Sequence, residues 1–167
     1  MKASPMPPLE DLQKFYVIDS ASPSGITRIK AARGRNARVG PVISIGSDGY
    51  YRMKFRGVHY RCHRVIYFMA KESDPGDLVV DHIDGDRLNN KLDNLRACTQ
   101  AQNMCNTKAR QSKKGLPKGV RKLSEKVYQA QLSINGEVHT SVFENIRAAI
   151  NYSKCLRARY HGEFARP

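Results

Sequence analysis

The chain has 167 residues, with 29 basic side chains against 15 acidic ones and a formal net charge of +14. At 40% hydrophobic and 26% charged it has the composition of a folded protein, and its length suits one ordinary domain or roughly two to three small modules. No run approaches the roughly 18 apolar residues of a membrane span, and the opening MKASPMPPLEDLQKF has no apolar signal core, which excludes membrane and secreted classes and leaves a cytoplasmic protein as the expectation.

Residues 1–14 are Pro-rich and then polar, and are expected to fray or to cover a neighbouring surface. From Phe15 to Cys62 the text reads as short strands and turns: FYVI, PVISIG, GYYRMKF and VHYRC as strands, with SPSG, Ser-Asp-Gly and Arg-Gly as turn signals. Between them Arg28, Lys30, Arg33, Arg35 and Arg38 form a basic tract with no acid from Ser20 to Ser47. Such a tract is either a solvated loop or an arm that follows a phosphate backbone. HRVIYFMAKE, residues 63–72, reads as a helix with Val65, Ile66, Phe68 and Met69 on one apolar face, and Asp74-Pro75-Gly76 stops it.

LVVDH and NLRAC read as two short strands joined by the polar connection IDGDRLNNKLD. Thr99-Gln100-Ala101-Gln102 matches a capping box, so a short helix is expected from about Gln100 to Thr107. Residues 108–126 carry eight basic residues and one acid, a linker suited to a phosphate backbone. VYQAQLSI then alternates strictly, with Tyr128, Ala130, Leu132 and Ile134 on one face and Gln129, Gln131 and Ser133 on the other. Asn135-Gly136 signals a type I′ hairpin turn, EVHTSVF is the return strand, and GVRKL is a candidate third strand. From Asn145 to His161 the spacing predicts a helix with Ile146, Ala149, Ile150, Leu156 and Tyr160 inward, capped by Asn145 and stopped by Gly162.

The basic excess points to a polyanion as partner. Within it, seven of the fifteen acids fall between Glu72 and Asp93. A calcium loop fails, because starting at Asp84 it meets Leu88 and Leu95 where oxygen ligands are needed, and starting at Asp81 it meets Ile83. A solvated acidic loop accounts for Asp74, Asp77, Asp84, Asp86 and Asp93 but poorly for Asp81-His82, which end an apolar strand. Neighbours on a strand point to opposite faces, so a strand end can offer a carboxylate to a cation and an imidazole to a water. If the following helix packs on the two strands, the Asn103 amide oxygen can join Asp81. Two hard oxygen ligands suit Mg²⁺, whereas zinc prefers nitrogen or sulfur. Cys62, Cys98, Cys105 and Cys155 form no CxxC pair, so no structural zinc is expected and they read as small buried apolar residues.

Asp81-His82, Asn94 twelve residues after His82 and Asn103 nine further on resemble the HNH nuclease motif of the ββα-metal fold. HRVIYFMA, VDHIDGDRLNNKLDNLR and TQAQNMCN resemble the phage and intron-encoded HNH homing endonucleases in which asparagine replaces the last histidine. The likeness runs from about Gly49 to Asn106. It implies that His82 is the general base, that Asp81 and Asn103 hold a divalent metal, with Mg²⁺ favoured and Mn²⁺ as the alternative, and that Asn94 orients His82 or ties the two strands. Asn103 departs from the motif as a neutral ligand, which keeps the site hard. His63, at the head of its helix, is expected to cap it or to bridge to the strand–strand–helix unit. Arg87 and Arg96 are either phosphate contacts or ordinary surface and strand-face residues, and Asn106 can support the site from behind.

The tail, KGVRKLSEKVYQAQLSINGE onward to HGEFA, resembles an AP2-type DNA-binding domain, a three-stranded sheet on one helix, without the tryptophans of plant members. Its Gln129/Gln131 face, beside Arg121, Lys122 and Lys126, suits a major groove, or is an ordinary polar sheet face. Lys113, Lys114 and Lys118 would follow the DNA backbone. The expected class is thus α+β: a β-rich basic region over 1–48, a ββα-metal nuclease core over 49–107, a basic linker over 108–118 and an AP2-like module over 119–167. The expected partner is double-stranded DNA, with a homodimer if both strands are cut. The alternatives are a DNA-binding regulator with a vestigial nuclease motif and an RNA-binding factor, the latter weakened by the lack of an RNP-type aromatic pattern.

Overall fold

The structure is a computed structural model of the chain and describes residues 4–31, 38–106, 115–134 and 136–165. It divides into two compact units, residues 1–100 and 101–167.

The first unit is built from small antiparallel sheets around one helix. α1 (Leu9–Gln13) leads into β1 (Tyr16–Ile18), β2 (Ile26–Arg28) and β3 (Gly40–Pro41), a three-stranded sheet in that order. The Pro-rich opening does cover the core, because Leu12 is wholly buried. The predicted PVISIG strand shrinks to β3 plus a single bridge between Ile45 and Tyr51. Ile43 and Ile45 are both exposed, so alternation there gains no burial. β4 (Arg52–Phe55) and β5 (Val58–Arg61) form a hairpin whose two turn residues, Arg56 and Gly57, both have positive φ. This is the requirement of a type I′ turn, met by glycine at only one of the two places.

α2 (Cys62–Lys71) buries Cys62, His63, Val65, Ile66, Phe68 and Met69, a stripe at helical spacing that packs against the sheets. It ends at Glu72 in the left-handed conformation, and the Asp74 carboxylate accepts from the Gly76 amide in the turn beyond. β6 (Val79–His82) pairs antiparallel with β7 (Leu95–Cys98), setting Asp81 opposite Arg96 and His82 opposite Leu95. A 3₁₀ turn, Leu92–Asn94, closes the long loop between them.

The second unit opens with α3 (Gln100–Cys105), which all but its first residue places there. β8 (Val120–Ser124), β9 (Val127–Ile134) and β10 (Glu137–Phe143) form a three-stranded sheet with β9 in the middle. α4 (Ile146–His161) packs across it, setting Ala149 against Val120 and Ala130 and also burying Ser153 and Leu156. Asn145 caps α4 by accepting from the Arg147 amide at 2.7 Å, and Gly162 ends it at a φ of 52°. Tyr160 differs from expectation. It is exposed on one side because it stacks on the His139 ring (centroids 4.6 Å apart) at the rim of the sheet instead of entering the core. The cysteines also split: Cys62 and Cys98 are buried, but Cys105 is half-buried and Cys155 lies on the open face of α4. Burial pushes the Cys62 thiol up to about 12, so it stays protonated and inert.

Candidate active site

β6 carries its two polar residues into the interior for different reasons. Asp81 and His82 are 9% and 3% exposed. Asp81 Oδ2 lies 3.2 Å from Arg96 Nη2, directly across the two-stranded sheet, so the carboxylate is desolvated beside a fixed cation. His82 points to the other face, where α2 brings His63 edge-on to its ring at 4.8 Å. Tyr50 completes a three-ring cluster, 5.0 Å from His63 and 5.9 Å from His82. His63 therefore bridges α2 to the strand pair. Burial, then the neighbouring His82, Arg61 and Arg64, hold its imidazole well below the usual histidine range, so it is neutral. Its Nδ1 is buried without a hydrogen-bond partner among the described residues.

The side chain that meets His82 Nε2 is Asn90, with its Oδ1 at 2.9 Å. Spacing does not distinguish Asn90 from its neighbours in a loop rich in asparagine; its burial in the fold singles it out. Asn94 does something else. Its Oδ1 accepts from the Asp84 amide at 3.1 Å, while its Nδ2 donates to Asp84 Oδ1 at 3.0 Å and to the Asn89 carbonyl at 2.8 Å. Its own carbonyl accepts from the Ile83 amide. Asn94 thus closes the loop between β6 and β7. Burial pushes the Asp84 carboxyl up, but bonds from Asn89, the Asp86 amide and Asn94 outweigh it and hold it below its ordinary range. The acidic loop is organised by Asx turns, as at Asp84–Asp86 and Asp86–Leu88.

Around the rings sits a rim of cations. Arg61 and Arg87 lie over the Tyr50 ring, 4.6 Å and 5.1 Å from its centroid. Asp48 ties them together: it pairs with Arg52 at 3.0 Å and Arg61 at 2.8 Å, and its carbonyl accepts from Arg87 at 3.0 Å. The Arg52 hydrogen bond, with Arg61, takes the Asp48 carboxyl down to about 2. Neither strand alternation nor helical spacing marked this rim.

Asn103 lies in α3, in the second unit, half-buried, with its carbonyl accepting from the Asn106 amide at 3.1 Å. Asn106 itself is buried. Among the described residues no group of three or more His, Cys, Asp or Glu side chains gathers to hold a metal. The Asp81 carboxylate at the end of β6 is a hard oxygen donor, the ligand type that a hard divalent cation takes.

The predicted DNA contacts fall into separate places. Arg28 is in β2, with Nε on the Tyr16 hydroxyl at 3.0 Å and Nη2 on the Lys54 carbonyl at 3.1 Å. Lys30 sits over the Phe15 ring and Arg38 is exposed. Arg33, Arg35, Lys113 and Lys114 lie outside the described residues. In the second unit Arg121, Gln129 and Gln131 share the sheet face opposite α4, and Lys118 and Lys122 are exposed. There the Gln129 amide accepts from Arg121 Nε and donates to Thr140 Oγ1 at 2.6 Å, a ladder across all three strands.

Residues 60–105 match a family model described as an HNH endonuclease. An uncharacterised HNH endonuclease of Acanthamoeba polyphaga mimivirus is 34% identical over 166 residues, covering 92% of this chain and 84% of its own. The chain belongs to the HNH endonuclease family. As an HNH endonuclease it is a hydrolase that cleaves DNA. Protein 3.8 of Escherichia phage T7 is 29% identical over 107 residues, 64% of this chain and 88% of its own. No solved structure matches. Among the described residues no helix is long and apolar enough to cross a membrane.

Proposed function

We propose that the chain is a metal-dependent HNH endonuclease of the phage or homing type, cutting double-stranded DNA with His82 as general base. The observation that carries this is the ring of His82, buried at a strand end, held by Asn90 and packed on His63 and Tyr50, with the Asp81 carboxylate on the opposite face of the same strand. A neutral imidazole is a competent general base. His82 takes the proton of the attacking water, and the fixed ring removes the rotational search that a mobile side chain would need. Asp81, with Asn103 by the sequence likeness, would hold a divalent cation, Mg²⁺ or Mn²⁺. When bound, such a cation supplies Lewis-acid stabilisation of the phosphate and of the leaving 3′ oxygen. Asn94 keeps the β6–β7 loop closed so that Asp81 and His82 stay in register.

The Arg61–Tyr50–Arg87 rim offers two guanidinium groups to backbone phosphates beside the rings. The tail would act as an AP2-like module over 119–167, presenting Arg121, Lys122, Gln129 and Gln131 to a groove, with the basic stretches 28–38 and 108–118 along the backbone. A single motif copy cuts one strand at a time, so double-strand cleavage would use a dimer or two successive events.

The test is plasmid cleavage with Mg²⁺. His82→Ala should nick at least about a hundredfold more slowly than wild type. Equal rates in the two proteins, or no cleavage by a wild type that binds DNA tightly, would overturn the reading.

A further inference from the structure

We propose that Asn90 is the positioning residue of His82: it holds the ring proton on Nε2 and so makes Nδ1 the nitrogen that accepts the proton from water. The proton-accepting role rests on the nuclease function proposed above, but the tautomer does not.

An asparagine amide has one end that only accepts and one that only donates. Asn90 Nδ2 lies 2.8 Å from the backbone carbonyl of Ser24. A carbonyl cannot donate, so this end must be the NH₂ group, and the amide orientation follows from chemistry alone. Oδ1 then faces His82 Nε2 at 2.9 Å. An amide oxygen cannot donate either, so Nε2 carries the hydrogen and the neutral ring keeps its lone pair on Nδ1. Turning the amide over would set oxygen against oxygen at Ser24. Asn90 and His82 are 5% and 3% exposed, so solvent is poorly placed to replace the lost bond.

The Ser24 carbonyl is itself fixed. Ser24 is wholly buried, its hydroxyl and that of Ser22 donate to the Ile26 carbonyl at 3.2 Å and 2.8 Å, and the Gly25 amide donates to the Ser22 carbonyl at 2.9 Å. Gly25 has a φ of 77°, and a Cβ there would come within 2.9 Å of Ile66 and 3.4 Å of Asn90. A glycine is needed for that turn to close on the asparagine. Meanwhile His63 and Tyr50 set the plane of the His82 ring. Two rings fix the plane, and Asn90 fixes which nitrogen is which. The N-terminal sheet therefore reaches the reacting group through one amide, from 66 residues away in sequence.

The experiment is a two-bond ¹⁵N–¹H correlation spectrum of the full-length, metal-free protein, labelled on histidine nitrogens. It is taken at a pH about two units above the ordinary histidine pKa. His82→Ala identifies the His82 signals. The expected wild-type pattern is the Nε2–H tautomer. Asn90→Leu, which removes both hydrogen bonds, should give a mixture of tautomers and lower kcat by about tenfold or more with KM little changed. A wild-type Nδ1–H pattern overturns the proposal even if Asn90→Leu fails to fold, and so does a folded Asn90→Leu that keeps pure Nε2–H. Cleavage by His82→Ala at the wild-type rate would instead sink the nuclease role of His82 and leave the tautomer standing.

Discussion

Replacing Arg96 by leucine isolates the cost of the carboxylate at the heart of the site. Asp81 and Arg96 face each other across β6 and β7 at 3.2 Å, with side chains 10% and 12% exposed. At an effective dielectric of about 20, two unit charges at that distance attract by about 5 kcal/mol. Desolvating both ions takes back most of this, so the pair contributes little net stability. Removing only the arginine is different, because the carboxylate stays buried and loses the cation it faces across the sheet. Fully buried cases cost about 3–5 kcal/mol, and the residual exposure here argues for about 3 kcal/mol. Native-state hydrogen exchange reads this locally, without assuming that the two units unfold together. Amides of β6 and β7 should exchange roughly a hundredfold faster in Arg96→Leu, since each 1.4 kcal/mol is tenfold. Adding Asp81→Asn removes the buried charge and should restore protection to within about 1 kcal/mol of wild type. Exchange in Arg96→Leu within about threefold of wild type would refute the reasoning and show the pair to be effectively in water.

His63 gives a pH dependence with a definite sign. Its folded pKa lies well below 6.5 through burial, so below 6.5 the unfolded chain binds a proton that the folded one does not. Stability should therefore fall as pH drops below 6.5, and His63→Leu should flatten that slope in urea titrations at a series of pH values. Gly119 tests the second unit: it has a φ of +82°, and a Cβ there would sit 2.7 Å from the Gln131 carbonyl oxygen. Gly119→Ala should lower the stability of the β8–β9–β10 unit by about 1–3 kcal/mol, visible as lost exchange protection in β9 with β6 and β7 unaffected.

Local signals carried far in this chain. The α2 stripe, the β6 and β7 strands, the β9 alternation and the α4 cap and stop are all spelled by periodicity and by residues with one conformational preference, and each is where it was expected. What failed did so where alternation was not matched by a covering layer, as at Ile43, or where a long aromatic found a partner at the rim, as Tyr160 did with His139. The Asp81–His82 pair was visible because a charged dipeptide at the end of an apolar strand has few structural uses. Asn90 was not, since its meaning lies in a contact with Ser24 that no spacing encodes. The same holds for Arg61 and Arg87, brought to one tyrosine by two different elements.

The placement of α3 bears on how such enzymes can be recombined. Cys105 Sγ lies 3.2 Å from Nδ1 of His161, so the short helix that carries Asn103 is fastened to the last turn of α4. A cut just after Asn106 would strip that helix of its anchor. An exchange of the C-terminal segment should therefore carry the chain from residue 101 along with the donor segment, or rebuild the Cys105–His161 contact in the graft. Grafts made at 107 should keep β6 and β7 intact and lose order in the helix.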